Sequence, residues 1–487
     1  MTIKRYAKSL KDHNLILDTN LPQNLEISGI SSDSRKIEKG NIFVAIKGLT
    51  FDGHRFITEA KQKGAVTFVV EKKLPQEYPY IQVADTRKAL ACLWSTYYNH
   101  PQKKLKIIGV TGTDGKTTTT YLIQHFLKAA RYEAGLISTV KACWNDKEIP
   151  TGQHVSTPEP KDLFKILSQM VKDNCTYIVV ETTSHGLDQD RVFGINFEVG
   201  VLTNITPEHL DYHHTFEEYK KTKAKLFQNS QISVLNENDP QINYFKNKAK
   251  GAIKTYDHKK EKLNLKYDKK KLPGDYNRAN ILAAKKAARI FNVSDRSLQE
   301  GLKKFQPPKG RFQEIVSNQP FKIIIDFAHT PNALKALLST VNKIKNKNSG
   351  IICVFGCEGE RDKGKRVPMG KISAHYAKIS ILTAVDPRNE SLKSINKTIA
   401  FGLKVGGAHK IHQKNIHKLD NTNTNKHFFI QIPDRARAIK KALQLARVGD
   451  WVLVLGKGHE KTMNLGSGEV PWSDQQAIKN ALTTFST

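Results

Sequence analysis

Two hydrophobic rhythms alternate along this chain. Unbroken apolar runs such as KIIGV (106–110), TYIVVE (176–181), ISVLN (232–236) and GIICVFG (350–356) are each followed by a longer stretch with helix-like spacing. A short buried-type run bounded by turns predicts a strand, and apolar residues three and four apart predict a helix packed on it. Strands alternating with helices predict parallel sheets, with ligands at the carboxyl ends of the strands.

The rhythm falls into three blocks. Residues 1–100 carry the short runs NIFVAI, AVTFVV and YIQVA. Residues 101–308 open with KIIGV and continue through TYIVVE, FEVGVLTN and ISVLN. At 309–487 the pattern restarts with FKIIIDFAHT, GIICVFG, ISILTAV and DWVLVLG. QPPKG at 306–310 predicts the joint between the second and third blocks, and LDNTNTNKH at 419–427 predicts a flexible surface loop. No tandem repeat is visible. The fold class predicted is α/β, in three domains.

Composition narrows the class. The 487 residues are 39% hydrophobic and 25% charged, with no secretory h-region at the start and no apolar run long enough to span a membrane. A cytoplasmic protein without membrane insertion is expected. The five cysteines are scattered, and Cys353 and Cys357 lack nearby partner ligands, so structural thiols are expected. The net charge of +32 admits three readings: nucleic-acid binding, a general lysine bias, or a polyanionic small substrate.

Candidate chemistry begins at VTGTDGKTTTT (110–120). A strand, a glycine turn and a helix start surround an anion with backbone N–H groups. Gly112, Thr113, Asp114 and Gly115 would form the turn, with Thr118 in the first turn of the helix. Lys116 would reach the β- and γ-phosphates of a nucleotide and Thr117 would hold magnesium. The stretch departs from the Walker A pattern, since Val110 stands where its first glycine belongs.

Glu181 ends the run TYIVVE, where a carboxylate can ligate magnesium or cap the next helix. His209, His213 and His214 cluster in PEHLDYHH, but their spacing does not match common zinc sites. In FEEYKKTKAKLF, Phe216, Tyr219, Leu226 and Phe227 share one helical face with Lys223 at its centre. Lys221 and Lys225 point the opposite way. A lysine so placed either snorkels at an edge or is desolvated to a reactive amine that can capture carbon dioxide as a carbamate.

TGTDGKTTT, ETTSHGLDQDRV, LTNITPEHLDYH, LPGDYNRANILAA, GRF, IIDFAHTPNAL and CVFGCEGERDKGKR together resemble the Mur ligases, most closely their E-type branch. The match runs in order from about residue 27 to 475. FGCEGERDKGKR and HTPNAL favour this branch over the folylpolyglutamate synthases, which share the ligase core. The resemblance implies a UDP-binding N-terminal α/β domain, a central P-loop-type ATPase domain with a parallel sheet, and a C-terminal Rossmann-like domain. It implies an enzyme that uses ATP and Mg2+ to turn the D-glutamate of a UDP-muramoyl dipeptide into an acyl phosphate, which the amine of a diamino acid then attacks. By the same resemblance Glu181 and His209 are ligands of a second magnesium and Lys223 carries a carbamate. Asn280, Arg311 and Asp326, with His329 beside them, contact the nucleotide. Ser156, Thr157, Ser184, Gln189 and Arg191 hold the UDP-muramoyl substrate, and Ser32 belongs to the uridine site. Domain closure over ATP is implied.

The stretch VDPRNE resembles the family's D-N-P-R-x-E, with Val385 and Asp386 at its first two positions. There Arg388 suits a bidentate grip on a distal carboxylate, and Glu460 of GKGHE suits a distal ammonium. Asp386, Arg388 and Glu460 would thus read the donor, meso-diaminopimelate, with L-lysine or another diamine as the alternative. The expected partners are small molecules only, with no nucleic acid, and the protein is expected to be a monomer. A nucleic-acid-stimulated P-loop ATPase would need a strand ending in Asp-Glu and a basic groove studded with aromatics, neither of which is present. A binding-only relative would not need the full set Lys116, Glu181, His209 and Lys223.

Overall fold

The structure is a computed structural model that describes residues 1–22, 24–48, 51–152, 156–412 and 426–483. Residues 419–425 of the expected surface loop lie outside the described residues.

Each apolar run named above contains a strand, and the strands assemble into three main sheets. The first has the order Ile16–Asn20, Tyr80–Val83, Thr67–Val70, Asn41–Val44, Gly29–Ser31. It is parallel except for Ile16–Asn20. The second runs Ala252–Tyr256, Ser230–Asn236, Phe197–Leu202, Lys106–Thr111, Tyr177–Glu181, Ala134–Ile137, and ends in the antiparallel pair Ala142–Trp144 and Lys147–Ile149. The third runs Gln313–Glu314, Lys322–Asp326, Trp451–Leu455, Ile351–Phe355, Ile379–Leu382, Phe428–Gln431, His409–Lys410, parallel but for its first strand.

The central strands Tyr177–Glu181, Ile351–Phe355 and Trp451–Leu455 are buried at every position. Helices on both faces of a parallel sheet leave no side for water, which is why these runs read as continuously apolar. QPPKG lies in the coil between helix Asp295–Lys304 and strand Gln313–Glu314.

One close packing event decides where the chemistry goes. Helix Phe216–Gln228 lies directly on strand Lys106–Thr111 at Gly109, where a Cβ would sit 2.6 Å from Leu226 Cδ1 and 2.9 Å from the Phe197 ring. A glycine there lets the helix approach the sheet. Tyr219, Leu226 and Phe227 are at most 1% exposed on that face, each worth about 1.5–3 kcal/mol of apolar burial. The approach brings Lys223 against the turn that follows the strand.

Candidate active site

The carboxyl ends of the second and third sheets face each other across a cavity of about 810 Å³. Its wall includes residues 113–118, Ser156, Glu181, Arg191, His209, Asn280, Arg311, Asp326, His329, Arg388 and Glu460. A volume of that size suits a nucleotide with part of a second substrate.

The phosphate turn is shaped by steric necessity. Gly112 has φ 145°, and a Cβ there would lie 1.9 Å from Thr203 Oγ1. Lys116, at the start of helix Lys116–Ala129, donates to the carbonyls of Gly112 and Thr113 at 3.1 and 2.8 Å. Burial pushes its ammonium below the ordinary lysine value, although Glu181 and Asp114 pull the other way. Thr117 Oγ1 donates to Glu181 Oε2 at 3.0 Å and accepts from Arg311 at 3.1 Å. Glu181, 1% exposed, also accepts from the Thr139 hydroxyl at 2.9 Å. Two hard oxygens, the Thr117 hydroxyl and the Glu181 carboxylate, therefore meet at one point beside the phosphate loop. That donor set fits magnesium, which takes one or two protein oxygens and keeps several waters. Among the described residues no three His, Cys, Asp or Glu side chains converge as a metal cluster.

The third sheet reaches onto this loop. Asp114 accepts from Thr330 Oγ1 at 3.0 Å and Asn332 Nδ2 at 2.8 Å, both at the start of helix Pro331–Ile344. Asp326 is held by the backbone N–H groups of Phe312 and Ala328 at 2.6 and 2.8 Å, and burial pushes its carboxyl up. His329 lies on the Phe327 ring, and burial pushes it down to about 4. The Arg311 guanidinium also covers Phe327, 4.6 Å from the ring centre. On helix Gly274–Ile290, Asn280 accepts from Thr119 Oγ1 at 3.3 Å.

Lys223 is 1% exposed, so it does not snorkel. Its Nζ donates to Gly112 O at 2.8 Å and lies 4.7 Å from the Tyr219 ring centre. Burial, reinforced by the Lys116 cation, holds it well below the ordinary lysine value. Lys221 is exposed, but Lys225 is half-buried and donates to Leu187 O at 3.3 Å, a contact that helical periodicity did not foresee. His209 stacks edge-on to His185 at 4.9 Å and is held well below its ordinary value by burial.

The remaining expected residues divide. Arg191 is on the wall, gripped by Gln189 Oε1 at 3.1 and 2.6 Å, Thr157 O at 2.8 Å and Glu159 at 2.7 Å. The Ser156 and Thr139 hydroxyls are hydrogen-bonded at 2.5 Å, Ser156 donating because the Thr139 proton goes to Glu181. Thr157 and Ser184 are buried behind the wall, where Thr157 Oγ1 donates to Glu181 O at 2.9 Å. Ser32 is exposed just after strand Gly29–Ser31 of the first sheet, away from this cavity. Asp386 is 1% exposed and turned off the wall, with both carboxylate oxygens on Lys457 Nζ at 2.9 and 2.7 Å. Arg388 NH1 donates to Gly359 O at 3.0 Å. The five cysteines are free, and burial pushes Cys353 and Cys357 up to about 12.

Sequence reading missed the joint between the two sheets. Lys365 Nζ lies 3.1 Å from Glu208 Oε1 and 3.4 Å from Glu358 Oε2, with Lys365 and Glu208 both 3% exposed. Burial pushes Glu208 up to about 7 against the pull of Lys365. For Lys365, burial opposes the charge, but Glu208 and Glu358 outweigh it and hold the ammonium above its ordinary value. Both residues stand inside quoted motifs, PEHLDYH and ERDKGKR, yet nothing local reveals that they meet.

Three family descriptions match in succession: "Mur ligase family, catalytic domain" at 26–98, "Mur ligase middle domain" at 110–288, and "Mur ligase, glutamate ligase domain" at 310–458. The chain is 36% identical to a UDP-N-acetylmuramoyl-L-alanyl-D-glutamate–2,6-diaminopimelate ligase of Clostridium perfringens, covering 99% of both chains. The chain belongs to the Mur ligase family. A Mur ligase of the same description from Geobacillus kaustophilus is 34% identical over 94% of this chain and 95% of its own. A solved structure of a ligase so described aligns with a TM-score of 0.63 at 26% identity, covering 98% of this chain and 99% of that one. A Thermotoga maritima Mur ligase solved with ADP shares the fold, with a TM-score of 0.57 at 17% identity over 94% of this chain and 97% of that one. As a Mur ligase the chain is an ATP-dependent enzyme that forms amide bonds. Among its described residues no helix is long and apolar enough to cross a membrane.

Proposed function

We propose that this Mur ligase joins meso-diaminopimelate to the D-glutamate of UDP-N-acetylmuramoyl-L-alanyl-D-glutamate, the reaction named for its relatives. The observation that carries the donor choice is the cavity wall itself. Arg388 and Glu460, one cation and one anion, face the same cavity as the phosphate loop. A distal carboxylate matches Arg388 and a distal ammonium matches Glu460, so the pair describes a zwitterionic far end. Asp386, which could have cancelled Arg388, is occupied by Lys457.

In this reading a carboxylate oxygen of D-glutamate attacks the γ-phosphorus of ATP and ADP leaves. The donor amine then attacks the acyl carbon, phosphate departs, and the amine proton is lost. Two anions must meet in the first step, so cations must screen them. Lys116 supplies one such charge beside the turn, and Arg311 brings another from the third sheet to Thr117. Thr117 and Glu181 would hold magnesium, with His209 and Glu181 serving a second ion, and magnesium would neutralise phosphate charge. Lys223, buried and inclined to its neutral form, is suited to carry a carbamate that restores a negative charge behind the loop. Asn280, Asp326 and His329 serve the nucleotide. Arg191 and Ser156 face the UDP substrate, with Thr157, Ser184 and Gln189 behind them and Ser32 toward the uridine. We take the three blocks as three domains and the enzyme as a cytoplasmic monomer.

The test is a competition. Enzyme, ATP and the UDP-muramoyl dipeptide receive equal meso-diaminopimelate and L-lysine, and the nucleotide products are separated by mass. The diaminopimelate product should dominate. A dominant lysine product overturns the donor assignment, and no product with either overturns the substrate assignment.

A further inference from the structure

Glu460 ends a row of three charges, and for the two behind it, Lys457 and Asp386, the reaction above has no use. Lys457 Nζ is wholly buried. On one side it meets both Asp386 oxygens at 2.9 and 2.7 Å, and on the other Glu460 Oε2 at 2.5 Å. Asp386 Oδ1 also accepts from the Asn464 N–H at 2.8 Å. The row spans the sheet. Asp386 follows strand Ile379–Leu382, whereas Lys457 and Glu460 follow Trp451–Leu455, and Ile351–Phe355 lies between those strands. Asp386 adopts φ 41°, a left-handed conformation that a non-glycine residue keeps only where its surroundings hold it.

The charge count explains the row. A lysine paired with Glu460 alone would cancel it, and a ligand ammonium would then meet a neutral pair. With Asp386 on its far side, the trio keeps one net negative charge, and of its three members only Glu460 reaches the cavity wall. Buried ion pairs contribute little net stability, but they can fix geometry. Resting on the donor reading above, the geometry points to Lys457 as a positioning residue and Asp386 as its counter-charge. Together they set the Glu460 carboxylate at the wall and preserve its charge for a donor with a distal ammonium.

The test compares meso-diaminopimelate with 2-aminopimelate, which keeps both carboxylates but lacks the distal ammonium. The wild-type ligase should prefer the former. In Asp386→Asn, Lys457 faces Glu460 without its counter-charge. The donor KM should rise by roughly tenfold, with the KM for ATP and for the UDP substrate unchanged, and the preference over 2-aminopimelate should shrink by the same factor. A second variant, Asp386→Asn with Lys457→Met, keeps the single negative charge on Glu460 but removes the ammonium that positions it, and should also lose preference. A merely structural role would lower thermal stability or kcat while leaving the preference intact. An unchanged preference in a folded variant of either kind overturns the inference and leaves the donor reading standing. A wild type that does not distinguish the two donors overturns both.

Discussion

Replacing Lys223 by alanine separates a structural lysine from a chemical one. Its Nζ holds Gly112 O at 2.8 Å and lies 3.5 Å from Thr111 Oγ1. A bond to a charged group is worth about 1.5–3 kcal/mol. Two effects reduce the net loss. Lys116 also donates to Gly112 O, at 3.1 Å, so that carbonyl keeps a partner. Burial already presses the Lys223 amine toward its neutral form, so its removal also relieves part of a desolvation cost. The variant should therefore fold, with a stability change within about 2 kcal/mol. Its activity should fall much further. If Lys223 supplies a charge to the reaction, turnover should drop at least 100-fold, about 2.7 kcal/mol of barrier. A short carboxylic acid that occupies the vacated space should restore part of it. Lys221 is the control, since its side chain is 69% exposed and 3.7 Å from Glu218, and its replacement should change little. The assay is phosphate release in the presence of all three substrates, with thermal unfolding run in parallel. Equal losses in Lys223→Ala and Lys221→Ala would refute the reasoning. So would a loss at Lys223 that acid never rescues and that unfolding fully accounts for.

Acid should weaken the fold through its histidines. Burial lowers His185, His213 and His329 from 6.5 to about 4, so between those values the unfolded chain binds more protons than the native one. Stability is then complete above pH 6.5 and is lost as pH falls toward 4. Glu208, raised from 4.5 to about 7, works in the opposite direction, as do the buried carboxyls of Asp190, Asp239 and Asp326, but burial also lowers His13, His100, His125 and His209 and the histidines prevail. The urea midpoint should fall by an amount equivalent to a few kcal/mol across this window, and a midpoint that rises would contradict the account. Arg191→Ala should raise the KM for the UDP substrate more than that for ATP, by about 1.5–3 kcal/mol, and a selective loss of ATP affinity would show that the residue serves the other substrate.

Legibility followed burial. KIIGV, GIICVFG and DWVLVLG declared themselves because strands covered on both faces must be apolar throughout. Ile16–Asn20 and Lys147–Ile149 did not, because these edge strands are largely exposed and carry Asp, Asn, Lys and Glu. The phosphate loop was legible because its chemistry is contained in a few consecutive residues. Lys223 was legible only as far as its helical face. Whether it snorkels or sinks depends on how near the helix comes to the sheet, and Gly109, more than a hundred residues earlier, decides that. Lys225 is half-buried for a similar reason, because Leu187 from another helix meets a face that periodicity assigned to solvent.

Asp386 shows the limit most clearly. The motif places its carboxylate with Arg388 and Glu460 among the groups expected to read the donor. Backbone geometry undoes the expectation. Both residues are left-handed, at φ 41° and 52°, and the turn they make sends Asp386 inward to Lys457 while Arg388 stays on the cavity wall. The partner is 71 residues away in the chain. Reading VDPRNE alone therefore misplaces Asp386, because its partner is a lysine that follows another strand. Which charges a cavity presents is a property of the assembled sheet, and here the sheet leaves Arg388 and Glu460 on the cavity wall while Asp386 and Lys457 stand behind it.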